Sequence, residues 1–341
     1  MARIDTLGNF LTDIANAIRT KKGTSDVINA VDFDTEITNL PSGGDTNMED
    51  GLIEGTLTEY SNSRVTKIDS MVFRQNSNFA SIDLPKANTI GQYSFYNCTN
   101  LKTVNIPNVT DINTYAFYGC TSLSSIDFQN VTDIYNYAFA NCSNLQSVNL
   151  PNINNIGSYA FDGGKKITSL NISNVEKINT YGFRNCTSLT SLYLPNTTSI
   201  GNYSFYGCTS LESVNLPIAT GVGERTFQNC TSLTSVNLPN IVTVGIDVFR
   251  NCTSLSFIDL PKVRAINSTA FYYCTSLETL ILRSETKSSL GTNSLYNTPI
   301  ANGTGYIYVP SSLIDEYKTT TSWSPYADQF RAIEDYPDIC G

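Results

Sequence analysis

The chain has 341 residues, only 15% of them charged, and its 21 Lys and Arg stand against 30 Asp and Glu for a net charge of −9. A surface of that sign neither neutralises phosphates nor attracts anionic headgroups, which argues against nucleic-acid and membrane-surface partners. The absence of histidine removes every Ser-His-Asp, Cys-His or His-ligated metal site that one chain could form.

Residues 1–44 form the first predicted unit. Met1-Ala2-Arg3-Ile4-Asp5-Thr6-Leu7-Gly8 lacks the basic stretch and apolar run of a secretory signal, and no window approaches a membrane span. Synthesis in a reducing host cytoplasm is therefore expected, with the nine cysteines as free thiols. Leu7, Phe10, Leu11, Ile14, Ala17 and Ile18 fall on one helical stripe, and Arg19, Lys21, Lys22 and Gly23 end it. A second short helix is predicted over 31–39, before the linker Pro41-Ser42-Gly43-Gly44. So small a unit buries its stripe poorly. Leu7, Phe10, Leu11, Ile14 and Ile18 are thus read as an attachment or oligomerisation face; a helix that merely caps the following array is the alternative. The pattern L-x-N-x-x-x-x-I-A-N-A-I-R-x-K-x-G-T-S-D over 7–26 resembles an N-terminal module of tail-associated proteins of Firmicutes phages.

Residues 45–70 are expected to supply an incomplete capping coil, and residues 71–300 carry the repeat. Phenylalanine stands at 73, 95, 117, 139, 161, 183, 205, 227, 249 and 271, always 22 apart. A period of that length means a solenoid, propeller or array. Cysteine follows Phe by three at 98, 120, 142, 186, 208, 230, 252 and 274, and aliphatic residues recur five before and six and nine after it. In Leu211-Glu-Ser-Val214-Asn-Leu216 the alternation predicts a strand, which Pro217 ends. Tyr203-Ser-Phe205-Tyr-Gly-Cys208 suits a single helical or 3₁₀ turn. Gly201, Asn113 and Asn179 are read as left-handed corner positions. One coil cannot bury enough apolar surface to fold alone, so the coils must stack.

The unit I-G-x-Y-A-F-x-x-C-T-S-L-x-S-V-N-L-P resembles the BspA-type leucine-rich repeat of bacterial surface proteins and of phages of Gram-positive hosts, over about residues 60–298. Coil 161–182 departs from it at Gly163-Gly164-Lys165-Lys166, and Gln129 and Ser173 replace the usual Pro. The resemblance implies an α/β repeat fold: a right-handed leucine-rich-repeat solenoid of 22-residue coils on a parallel sheet, with a small N-terminal helical module. Residues 301–341 break the period. They read as a strand at Gly305–Pro310, a short helix around Ile314–Lys318 and a turn anchored by Trp323; a similar ending closes many such arrays.

Stacked cysteines point in parallel, which suits small core side chains better than disulfides or metal; Cys340 is the expected exposed thiol. Asn97, Asn185, Asn229 and Asn251 match glycosylation triplets but are read as turn residues. Two surface rows are candidate ligand sites. Tyr93, Tyr115, Tyr137, Tyr159, Tyr181 and Tyr203 form a column two before Phe, either edge packing or an aromatic strip for a sugar or protein partner. The outward strand positions, including Asn149, Asn171, Tyr193, Asn215 and Phe257, suit a polyol or glycan, or plain solvent. No spacing marks a catalytic group, a cofactor site or a metal site. The expectation is a non-enzymatic phage structural protein at the tail, baseplate or another exposed virion site. Its N-terminal module would contact other virion proteins or its own copies, and its solenoid a host-surface glycan or protein. A bacterial surface adhesin and a ligand-free spacer or decoration protein are the alternatives.

Overall fold

The structure, a computed structural model, describes residues 58–340 except 64. The expected N-terminal helix, with Leu7, Phe10, Leu11, Ile14 and Ile18, lies outside the described residues. What is described is a parallel solenoid. A three-residue strand opens at Glu59–Ser61 and recurs every 22 residues to Thr279–Ile281. A two-residue strand recurs from Lys67–Ile68 to Ser289–Leu290. Each residue pairs with its counterpart in the next coil, as in Ser147↔Ser169 and Ile156↔Ile178. Each coil thus has two short strands where one was expected. Alternation explains the longer one: Ile126, Val148, Leu192 and Val214 are buried at its centre, and Ser and Asn flank them outward.

The two strand sets differ in continuity. Eight two-residue strands, from Lys67–Ile68 to Gly221–Val222, pair without a break. The first nine three-residue strands pair in groups of three and the last two share a sheet with the C-terminal strands, and no strand pairing joins Thr103–Asn105 to Ser125–Asp127, Ser169–Asn171 to Ser191–Tyr193, or Ser235–Asn237 to Phe257–Asp259.

The phenylalanines form one inner file. Neighbouring rings from Phe73 to Phe271 stack with centroids 4.9–5.9 Å apart, all at most 5% exposed. Packing at that density makes each coil the template for the next.

The segment around Phe is not the helical turn that its length suggested. Its amides alternate between partners. Tyr115, Phe117 and Gly119 donate to the carbonyls of Asn136, Ala138 and Ala140 in the next coil, while Ala116, Tyr118 and Cys120 donate three residues back. A helix would keep all of them within the segment. The alternation requires two left-handed residues per coil, at the tyrosine column (Tyr115 φ 58°, Tyr137 φ 59°) and two after Phe (Asn97 φ 56°, Gly119 φ 70°, Asn141 φ 60°). Asn97, Asn185, Asn229 and Asn251 are turn residues in that sense. Gly201, Asn113 and Asn179 are not left-handed, contrary to expectation. Gly201 answers a different need, because a Cβ there would lie 2.6 Å from the Thr180 nitrogen.

The C-terminal end has the expected order of strand, helix and tryptophan: Tyr306–Val309, then Ile314–Thr319, then Trp323. Trp323 and Tyr317 are fully buried. Trp323 Nε1 donates to the Ser288 carbonyl at 2.7 Å, and the Ser288 amide donates to the Tyr317 hydroxyl at 2.8 Å. A last strand, Phe330–Ala332, extends the sheet. Cys340, expected to be exposed, is buried with Ile281 and Tyr308, and its carbonyl accepts from Arg283.

Candidate functional site

The cysteine column faces the core. Each thiol donates to the carbonyl of the Phe 25 residues earlier, from Cys98 to Phe73 at 2.9 Å through Cys274 to Phe249 at 3.0 Å. Burial pushes these thiols up, to about 12 for Cys98, Cys142, Cys208 and Cys274. A thiol so poorly ionised is neither nucleophile nor metal ligand. Among the described residues no cluster of three or more Cys, Asp or Glu is placed to hold a metal.

The six tyrosines do form a column. Their rings stack face to face with centroids 4.5–4.8 Å apart, half-buried along the flank of the coils. A bulky residue in the left-handed region costs about 1–2 kcal/mol; Asn or Gly would cost less, and ring stacking offsets the difference. The column is flanked by cations. Arg74 lies 5.9 Å from the Tyr93 centroid, Arg184 lies 5.3 and 4.9 Å from those of Tyr159 and Tyr181, and Arg225 lies 5.3 Å from that of Tyr203. Arg225 is itself the next residue of the column, and it also binds the Tyr203 hydroxyl and Asp247. Burial against neighbouring rings, then the neighbouring phenols, raises the hydroxyl pKa values of Tyr115, Tyr137, Tyr159 and Tyr181. No sugar ring fits between faces already in contact, so the column presents ring edges and hydroxyls.

The strand row is built differently. Tyr193 is 65% exposed and Phe257 43%, and neither makes a ring contact among the described residues. Asn149 and Asn171 stand on the same outward row as Tyr193 and Asn215, joined by a bond from Asn171 Nδ2 to Asn149 Oδ1 at 2.7 Å. The structure therefore stacks the tyrosine column as one strip, whereas the strand row falls into separate sheets, with Tyr193 paired to Asn215 and Phe257 in another sheet. Among the described residues no hydrogen bond or ring contact links the tyrosine column to the strand row.

A third surface was not anticipated. A trough of about 780 Å³ runs over five coils, lined mainly by Asn130, Asn152, Asn174, Asn196, Glu176 and Thr198, with Ile218 at one end. Asn130, Asn152, Asn174 and Asn196 follow the proline column, and each donates back to the preceding coil, as Asn174 does to the Pro151 carbonyl at 2.7 Å. The signal was present in an Asn that recurs every 22 residues from 130 to 196, after Pro, Gln129 or Ser173, but Asn in a turn has many uses.

The sequence profile described as "BspA type Leucine rich repeat region" matches residues 66–190 and 176–302. No curated protein sequence matches the chain. Among solved structures, the chain is similar to a leucine-rich cell surface protein from Faecalibacterium prausnitzii, with 21% identity over 69% of this chain and 87% of that one and a TM-score of 0.42. A leucine-rich repeat protein from Bacteroides ovatus has 24% identity over 79% and 88%, with a TM-score of 0.40. The pneumococcal vaccine antigen PcpA has 15% identity over 81% and 89%, with a TM-score of 0.37.

Proposed function

The chain belongs to the BspA-type leucine-rich-repeat family, and from that premise we propose that it is a non-enzymatic binding scaffold whose solenoid engages a cell surface. The observation that carries this reading is the strand face, a polar row of Ser and Asn in which Asp83, Asp127 and Asp259 also stand, with Tyr193 and Phe257 projecting from it. Regular solenoids use such extended faces for binding, and exposed aromatics among hydrogen-bonding groups are suited to it. The tyrosine column adds a second contact strip of hydroxyls and ring edges.

For the setting, the reading is the outside of a phage particle, at its tail or baseplate, after synthesis in the host cytoplasm. Residues 1–44 hold the chain to other virion proteins or to its own copies, and the solenoid meets the host. Its support is the sequence pattern of residues 7–26. A bacterial cell surface is the alternative setting.

Fluorescent full-length protein added to intact host cells tests the function. Saturable binding is expected, and a Tyr137/Tyr159/Tyr181→Phe variant separates the hydroxyl strip from the strand face while keeping the stack. Failure of the intact protein to bind leaves a spacer role. Mass spectrometry and immunogold labelling of purified particles, set against cell-surface fractions, decide the setting.

A further inference from the structure

The outward row of the three-residue strands is a ladder of amides with one polarity. Asn105 Nδ2 donates to Asp83 Oδ1 at 2.7 Å, Asn149 to Asp127 Oδ1 at 2.9 Å, Asn171 to Asn149 Oδ1 at 2.7 Å and Asn237 to Asn215 Oδ1 at 2.9 Å. The next rung after Asn171 would be an asparagine at 193. It is Tyr193, and two bonds are lost with it. Asn171 Oδ1 receives no donor among the described residues, and Asn215 is the one asparagine of the row whose NH₂ donates to none of them. The break coincides with a seam in the sheet, because Ser169–Asn171 does not pair with Ser191–Tyr193. A ring that is 65% exposed thus stands in the row between an unspent acceptor and an unspent donor, with Asn215 its partner in the paired strand and Asn171 across the seam.

We propose that Tyr193, flanked by Asn171 and Asn215, is a subsite for one uncharged pyranose ring of a surface glycan. The inference rests on the reading of the solenoid as a surface-binding scaffold and names the ligand class of its strand face. A pyranose offers a C–H face for stacking and a rim of hydroxyls that both donate and accept. The site supplies the matching set: a ring face, a carbonyl on one side and an NH₂ on the other. Its other neighbours, Ser169, Ser191 and Ser213, are hydroxyls, and no charge of either sign stands among these side chains to select an ionised sugar. A protein anchor would need a pocket with apolar surroundings, which this flat polar row lacks. Phe257, the other exposed aromatic of the face, is not equivalent, because Asp259 in its strand is held by Arg283 at 2.8 Å.

The test uses full-length protein in three forms, wild type, Tyr193→Phe and Tyr193→Asn, against immobilised neutral oligosaccharides of glucose, galactose, mannose, rhamnose and N-acetylhexosamines. Tyr193→Asn continues the ladder, so its folding should match or exceed that of wild type by thermal melt. Wild type should bind at least one of these glycans with a Kd on the order of 0.1–1 mM, Tyr193→Phe within about threefold of it, and Tyr193→Asn about tenfold or more weaker. Equal binding by Tyr193→Asn, wild-type binding to charged sugars or wall proteins alone, or no binding to any neutral glycan overturns the proposal. The two readings fail separately. Glycan binding that persists in Tyr193→Asn sinks the subsite alone, whereas glycan binding without cell binding sinks the surface-scaffold reading alone.

Discussion

Arg184 grips the carboxylate of Asp162, one coil earlier, with Nε at 2.8 Å and Nη2 at 2.6 Å, while its guanidinium covers the rings of Tyr159 and Tyr181. Both interactions need a planar fork, and lysine has none. Arg184→Lys should therefore lose most of what Arg184→Ala loses, about 1 kcal/mol given that a third of the side chain is open to solvent. Equilibrium urea unfolding measures this. A lysine variant as stable as wild type would mean that charge alone holds the coils there.

The thiol column makes stability fall in alkali. In the unfolded chain these cysteines ionise near 9.0, whereas burial pushes four of them to about 12 in the folded protein. Their contribution is complete below pH 9.0 and is lost as pH rises toward 12, at roughly 1.4 kcal/mol per pH unit for each thiol. Circular dichroism across that range should show unfolding, and Cys142→Ala should flatten the slope. At neutral pH an alkylating reagent should label the column only after denaturation.

Gly157 lies against the preceding coil, where an added Cβ would meet the Tyr135 carbonyl carbon at 2.6 Å and the Ile134 oxygen at 2.8 Å. Backbone cannot swing aside as a side chain can. Gly157→Ala should cost about 1–3 kcal/mol by forcing two coils apart. Equal denaturation midpoints for the two proteins would show that the ladder yields freely.

At the C-terminal end, Trp323→Ala should cost about 3–5 kcal/mol by opening the core. Tyr317→Phe should cost about 1–3 kcal/mol, since the buried Ser288 amide loses its acceptor. Hydrogen exchange should show the last coil opening before the middle ones in both variants. Uniform loss of protection along the array would contradict a local cap.

The Phe file, the inward thiols and the order of elements at the C-terminal end were legible in the sequence because each depends on a column repeated in every coil. The turn around Phe was not. Its conformation comes from amides that pair with the following coil, and nothing in Tyr-Ala-Phe-Tyr-Gly-Cys announces that partner. Cys340 is buried against Ile281 and Tyr308, and Arg283, 57 residues earlier, reaches its carbonyl, contacts outside any repeat. The tyrosines were legible as a column, but not that their faces would close on one another; that follows from the left-handed backbone that aims each ring along the solenoid. The seams had one faint sign, since Asp127, Tyr193 and Asp259 stand where asparagine is usual.

The bonds between coils run lengthwise, so a pull on the two ends loads them one rung at a time. Each rung that yields frees 22 residues of chain, about 75 Å when drawn straight, in place of a rise of about 4.8 Å. Under tension the molecule would lengthen in steps of one turn, dissipating sudden load as an uncoiling spring does.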